Sequence, residues 1–184
     1  MNATAKILLT VESIWAFGSG LFFPIFAIFS HQVGGDILDA GIAAALFLIV
    51  TSTLEWPVGR LLDKYKEKWF IVTDYFLEAA VFVGYVFVAS KWELFALQVV
   101  LGISNAIGDP AWESLYDKHT PLRRAGSYWA SSHMYIGWAT AVGLLIGAYV
   151  VDLFGFKPVF LLGAFLSLTA GFIALHSIRE KQGS

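Results

Sequence analysis

Long apolar runs alternate with short polar breaks along the whole chain, and lysine and arginine fall only in the breaks. None occurs from Ile7 to Gly59, from Trp69 to Ser90, from Trp92 to Asp117, from Ala125 to Phe156, or from Pro158 to Ile178. A helix needs roughly 20 residues to cross a hydrocarbon core of ~30 Å, so every gap is long enough for a crossing. The first gap is long enough for two, and "SHQVGGDILD" (Ser30–Asp39) divides it with a Gly-Gly turn and two aspartates. The pattern predicts six membrane helices, near 6–29, 37–60, 69–90, 92–118, 123–152 and 157–178. The expected fold class is therefore all-α: a polytopic membrane protein, with 1–184 forming a single six-helix transmembrane bundle.

Composition supports this reading. The chain is 58% hydrophobic and only 14% charged, against about 25% charged residues in ordinary soluble domains. There is no cysteine, which excludes disulfides and thiolate metal sites. The first apolar stretch is too long for a signal peptide and contains Glu12 and Pro24, so it is expected to be retained as a span. Trp69 and Trp92, at span ends, suit interfacial anchoring.

The net charge of −2 hides a strong asymmetry. With the N-terminus inside, inner segments hold Lys6, Arg60, Lys64, Lys66, Lys68, Lys118, Arg123, Arg124, Arg179 and Lys181, while outer loops hold only Lys91 and Lys157. Positive charge is retained on the cytoplasmic side, so both termini are expected there, in the cytoplasmic membrane. No basic stripe suggests nucleic acid, and membrane lipid is the expected surrounding partner.

One internal repeat is visible. "LLDKYKEKWF" (Leu61–Phe70) aligns with "VVDLFGFKPVF" (Val150–Phe160), matching Asp63 to Asp152 and Lys68 to Lys157. The offset is 89 residues in both matches (152 − 63 and 157 − 68), or three helices, and an odd number of crossings inverts the second copy. The expected units are two inverted three-helix repeats, about 6–90 and 92–178.

The segment Gly59-x-Leu61-x-Asp63-Lys64 after the second helix resembles the loop signature of the major facilitator superfamily, G-x-L-a-D-r-x-G-r-k. "GISNAIGDPAWESLYDKHTPLRRAGSYW" (Gly102–Trp129) is similar to that superfamily's fourth helix with its acid-ended tail and inner loop, and the run Gly137, Gly143, Gly147 fits its fifth helix. Six helices with both ends inside match the N-terminal-like half of the twelve-helix fold, so the resemblance covers essentially the whole chain. Lys66 replaces the second motif glycine, Glu67 stands at a basic position, and Gln98 stands where an arginine is frequent.

The resemblance implies that the first and fourth helices line a cavity, with Glu12, Trp15, Ser19, Phe22 and Phe26 on one and Gln98, Asn105, Asp109, Trp112 and Glu113 on the other. It also implies an inner gate drawn from Gly59, Arg60, Asp63, Lys64, Lys68, Asp117 and Arg124. Asp63 and Asp117 take the acidic roles and the loop lysines replace the missing arginine.

Membrane burial of charge adds a second argument. Glu12, Glu55, Asp74, Glu78, Asp109, Glu113 and His133 fall inside predicted spans, where each charge costs roughly 2.5–3.5 kcal/mol. Asp74/Glu78 and Asp109/Glu113 are i,i+4 pairs, each on one helix face. The acids either carry protons or attract a cationic solute, or they brace the inner side statically. A neutral or cationic solute is favoured over a strongly anionic one, because no lysine or arginine lies at that depth.

Gly102-x-Ser104 and His133 suggest an intramembrane serine protease. A serine nucleophile needs its base within hydrogen-bond reach and an oxyanion hole, and these two sit at different depths, so no enzymatic activity is expected. His31, His119 and His176 show no ligand spacing, and neither metal nor cofactor is expected.

The chain ends where the superfamily's long central loop would begin. The functional expectation is a half-size secondary transporter of a small solute working by alternating access as a homodimer, with proton coupling left open. The alternative is a non-transporting fragment or subunit that needs a separately encoded second half. Gly59 on the second helix and a G-x-x-x-G face of Gly143 and Gly147 on the fifth are the expected dimer packing surfaces.

Overall fold

The structure is a computed structural model that describes residues 3–178, apart from the side chain of Pro24. Its helices are α1 (Ala3–Phe22), α2 (Phe26–Gln32), α3 (Ile37–Leu62), α4 (Glu67–Tyr85), α5 (Lys91–Lys118), α6 (Ala125–Phe154) and α7 (Phe156–Ser177). No strand occurs among the described residues. Arg179 and Lys181, two of the expected inner cations, lie outside them.

Seven helices make six crossings because the first is broken. Pro24 sits in a 3-10 turn, Phe23–Ile25, between α1 and α2. Proline supplies no backbone N–H, so the helical ladder loses a hydrogen bond there. α3 and α5 absorb the same loss at Pro57 and Pro110 and run on as α-helix, whereas the first crossing breaks. α1, α3, α5, α7 and the helical stretch Leu122–Phe154 are long and apolar enough to cross a membrane. α4 is less apolar, since it carries Asp74 and Glu78, but both side chains are buried. Its 19 residues span about 28 Å at ~1.5 Å each, close to the hydrocarbon thickness.

Local signals set the boundaries. Asp36 caps α3 and exchanges hydrogen bonds with Asp39, and Ser90 and Glu93 do the same for α5. α6 and α7 meet at a single residue, Gly155, whose φ of 76° favours glycine.

The principal packing partners are α1 with α6 and α7, α3 with α5, and α4 with α5 and α7. Exchanging the first three crossings for the last three turns α1–α6 into α5–α3 and α1–α7 into α5–α4, and leaves α4–α7 unchanged. The packing scheme thus maps onto itself. Two buried clusters fill the bundle. One, at the Lys6 end, is built around Leu8, Ile71, Tyr75, Leu115 and Tyr116. The other is strongly aromatic, with Phe22, Phe29, Tyr85 and Phe160 in mutual ring contact at 4.8–6.1 Å.

Glycine decides two of the contacts. β-Carbons at Gly143 and Gly147 would collide with the carbonyls of Phe17 and Leu21, so α6 lies directly on the α1 backbone. On the other side of the bundle, a β-carbon at Gly102 would come within 2.8 Å of the Phe47 carbonyl, and the Thr51 hydroxyl donates to the Gly102 carbonyl at 3.2 Å. This corrects the expected dimer surface. Gly143 and Gly147 are two of only three buried residues on α6, and they are spent on α1 of the same chain. A β-carbon at Gly59 would meet nothing within 4 Å, so that face of α3 stays open to another backbone.

Candidate functional site

Two cavities lie between the helices and meet at one side chain. The first, about 280 Å³, is walled by Trp15, Ser19, Phe22, Phe23 and Phe26 of the first crossing and by Ala44 and Phe47 of α3. Glu78, Phe82 and Tyr85 of α4 and Gln98, Leu101 and Asn105 of α5 close it. Gln98 and Asn105 are seven residues apart and so share a face of α5. Glu78 is the one acidic group among these lining residues; the other polar groups are hydroxyls, amides and the indole.

The second cavity, about 440 Å³, gathers Glu12, Glu55, Asp109 and Glu113 with His133, and is walled by Trp15, Pro110, Trp112, Trp129 and Ile136. Four carboxyls from three helices share this cleft with a single imidazole, and no lysine or arginine lines it. Glu12 Oε2 accepts from the Tyr75 hydroxyl at 3.1 Å. Trp112 is a fixed wall: its Nε1 donates to the Leu8 carbonyl at 3.2 Å and its ring stacks on Tyr116 at 4.9 Å. His133 packs against the Trp129 ring, with centroids 5.9 Å apart.

Trp15 belongs to both cavities. Its Nε1 donates to Glu78 Oε1 at 2.6 Å, while Glu78 Oε2 accepts from the Ser167 hydroxyl of α7 at 3.0 Å. Both oxygens of this buried carboxyl therefore have donors, which burial demands. Asp74, one turn away, is also buried, and its carboxyl accepts from Ser104 at 2.7 Å. The Ser104 hydroxyl is thus committed to Asp74 rather than available as a nucleophile.

The structure brings the eleven residues expected along the solute and proton path into these two walls. Trp15, Phe22, Phe26, Gln98 and Asn105 line the aromatic cavity, and Glu12, Trp15, Glu55, Asp109, Trp112, Glu113 and His133 line the acidic cleft. Sequence reasoning missed Phe47, Phe82, Tyr85 and Trp129 as lining residues. Glu78 was not among the cavity residues that the resemblance implied, although its i,i+4 spacing with Asp74 gave α4 one polar face.

The expected inner gate is arranged differently. Arg60 stacks on Trp56 of its own helix, 3.7 Å from the ring centroid, and Lys68 lies 5.9 Å from that of Trp69. Asp63, Lys64 and Arg124 are exposed. Asp117 does not receive a loop cation: its Oδ1 accepts from Trp129 Nε1 of α6 at 2.9 Å. The ion pair joining the loop to the end of α5 is Glu67 with Lys118, supported by Ser114 donating to Glu67 at 3.2 Å. Its polarity is the reverse of the expected one, with the acid on the loop side and the cation on the helix tail. Among the described residues no group of three or more His, Cys, Asp or Glu is placed to hold a metal ion.

Fold and cavities together define a polytopic α-helical membrane protein with solute-sized, carboxyl-bearing spaces between its helices. The chain belongs to the Major Facilitator Superfamily, whose profile matches residues 8–183. It is 28% identical to an uncharacterized MFS-type transporter of Methanocaldococcus jannaschii over 89% of this chain and 42% of that protein. It is 28% identical to the multidrug resistance protein MdtG of Dickeya zeae over 86% of this chain and 40% of that protein. An uncharacterized MFS-type transporter of Bacillus subtilis, YitZ, is 20% identical over 88% of this chain and 98% of its own length. The chain thus spans about two fifths of the first two relatives and nearly all of the third.

Proposed function

We propose that this bundle carries a small neutral or cationic organic solute across the membrane by alternating access, paired with a second six-helix bundle that is another copy of the chain. The observation that carries the reading is Trp15, which walls both cavities and is hydrogen-bonded to the carboxyl of Glu78. Aromatic rings bind cations through their faces, and a carboxylate among them supplies the countercharge, so the aromatic cavity suits a compact, largely apolar solute with a positive or donor group. The acidic cleft supplies carboxyls that can take up and release protons beside it, which supports proton coupling. The multidrug resistance proteins among the relatives support an organic solute.

One bundle needs a partner to rock against. α3 and α6 are the least buried crossings, and the open Gly59 on α3 offers a close-approach point for a second copy. The Bacillus relative, matched over 98% of its length, supports a working unit built from chains of this size. The cation asymmetry supports the cytoplasmic membrane with Lys6 and Lys118 on the cytoplasmic side.

The test is reconstitution of this chain alone into liposomes, with its mass measured in detergent. A dimer with saturable uptake of a lipophilic cation that responds to a proton gradient is the expected result. A monomer without flux favours the subunit reading, in which a separately encoded half is required.

A further inference from the structure

A third cleft, of about 670 Å³, shares no residue with the two cavities described above. It lies between α1, α6 and α7, on the flank of α1 that carries Ser13 and Phe17. α6 lies on α1 at Gly143 and Gly147, and toward the Lys6 end its Ser131 and Tyr135 form one side of the cleft.

The lining changes character along its length. Lys6, Thr10, Ser13 and Phe17 line it at steps of four, three and four residues, which keeps all four on one face of α1. Eleven residues cover about 16 Å, close to the half-thickness of a ~30 Å hydrocarbon core. The order is cation, hydroxyl, hydroxyl, aromatic ring. Thr10 uses its proton on the Lys6 carbonyl at 2.9 Å and Ser131 uses its own on Ser127 at 2.8 Å. Among the described residues, Ser13 and Tyr135 meet no acceptor and no carboxylate pairs with Lys6. Leu166 closes the apolar end.

We propose that this groove binds one anionic phospholipid. Its phosphate meets the Lys6 ammonium, its glycerol esters accept from Ser13 and Tyr135, and one acyl chain lies along Phe17 and Leu166. A single cation matches a single phosphate charge. The lining holds no acid to receive the ammonium of a zwitterionic headgroup, so the site discriminates by net charge. The groove spans one leaflet, which fits a lipid rather than a soluble anion.

The purified full chain in mild detergent should retain one phosphatidylglycerol in native mass spectra, several-fold above phosphatidylethanolamine offered at equal concentration. Lys6→Gln should abolish that preference, Lys6→Arg should keep it, and Lys157→Gln, at the opposite end of the bundle, should leave it unchanged. Ser13→Leu, which fills the groove, should lower retention of both lipids. Equal retention of the two lipids by the unmodified chain overturns the proposal, as does an unaltered preference in Lys6→Gln or a loss in Lys157→Gln. Displacement of the lipid by millimolar inorganic phosphate would identify a soluble-anion site and overturn it equally.

Discussion

Trp15 Nε1 and Glu78 Oε1 are 2.6 Å apart, so the side chain that separates the two cavities is held by the carboxyl in the wall of one of them. Position and charge can be separated at this contact. In Glu78→Gln the amide oxygen still accepts from Trp15 and the amide nitrogen can donate to the Ser167 oxygen, so only the charge is lost. Stability should stay near that of the parent while uptake of a cationic solute falls by about tenfold or more, a loss of ~1.4 kcal/mol in recognition. Trp15→Phe leaves a buried carboxyl oxygen short of a donor, at a cost of roughly 1–3 kcal/mol. Melting in detergent and liposome flux on the two variants give the comparison; full cation uptake by Glu78→Gln would remove the countercharge role.

Asp109 is the carboxyl of the cleft that Asn replaces with least change in shape. In a proton-coupled carrier, Asp109→Asn should leave solute exchange measurable and abolish the dependence of net uptake on the pH gradient. A pH profile identical to that of the parent would take Asp109 out of the coupling path.

The glycines make opposite predictions. Gly147→Ala places a methyl group on the Leu21 backbone, where overpacking costs typically ~1–3 kcal/mol. With roughly 2–4 °C lost per kcal/mol in a chain of this size, melting should fall by several degrees. Gly59→Ala adds a methyl group to open space and gains up to about 1 kcal/mol of helix propensity. If α3 meets a second copy at Gly59, the same change should weaken the dimer in a detergent dilution series while the monomer melts no lower.

Glu67 and Lys118 form a brace whose acid is buried and whose cation is largely exposed, at 7% and 60% side-chain accessibility. Lys118→Glu sets two acids against each other and leaves Ser114 as the sole side-chain donor to Glu67 shown. A buried charged group deprived of its partner costs roughly 1–3 kcal/mol or more. Glu67→Lys combined with Lys118→Glu should recover most of that loss, as read by a double-mutant cycle of melting midpoints. No recovery would mean that the link holds by position rather than by charge.

The crossings were legible because lysine and arginine are excluded from hydrocarbon, and that exclusion operates on sequence alone. The break at Pro24 was not legible, because Pro57 and Pro110 leave α3 and α5 continuous. Packing partners were not. G-x-x-x-G spacing says that some backbone comes close to Gly143 and Gly147, yet whether it belongs to α1 or to another molecule depends on where the chain has already placed its other helices. Phe82 and Tyr85 were missed as cavity walls because an aromatic ring on an apolar helix has the same local signature facing lipid, core or cavity. Glu67 looked like a fault in a basic motif. Only the proximity of Lys118, 51 residues later, shows that the charges had exchanged places.

The hydrogen bond from Ser167 to Glu78 joins residues 89 apart in sequence, the same separation that relates Asp63 to Asp152. If 6–90 and 92–178 are two inverted repeats, these two positions correspond, and their contact puts Glu78 beside the axis that relates the halves. The operation that exchanges the repeats then leaves this carboxyl almost where it was, while it carries the rings of the cavity wall to new places.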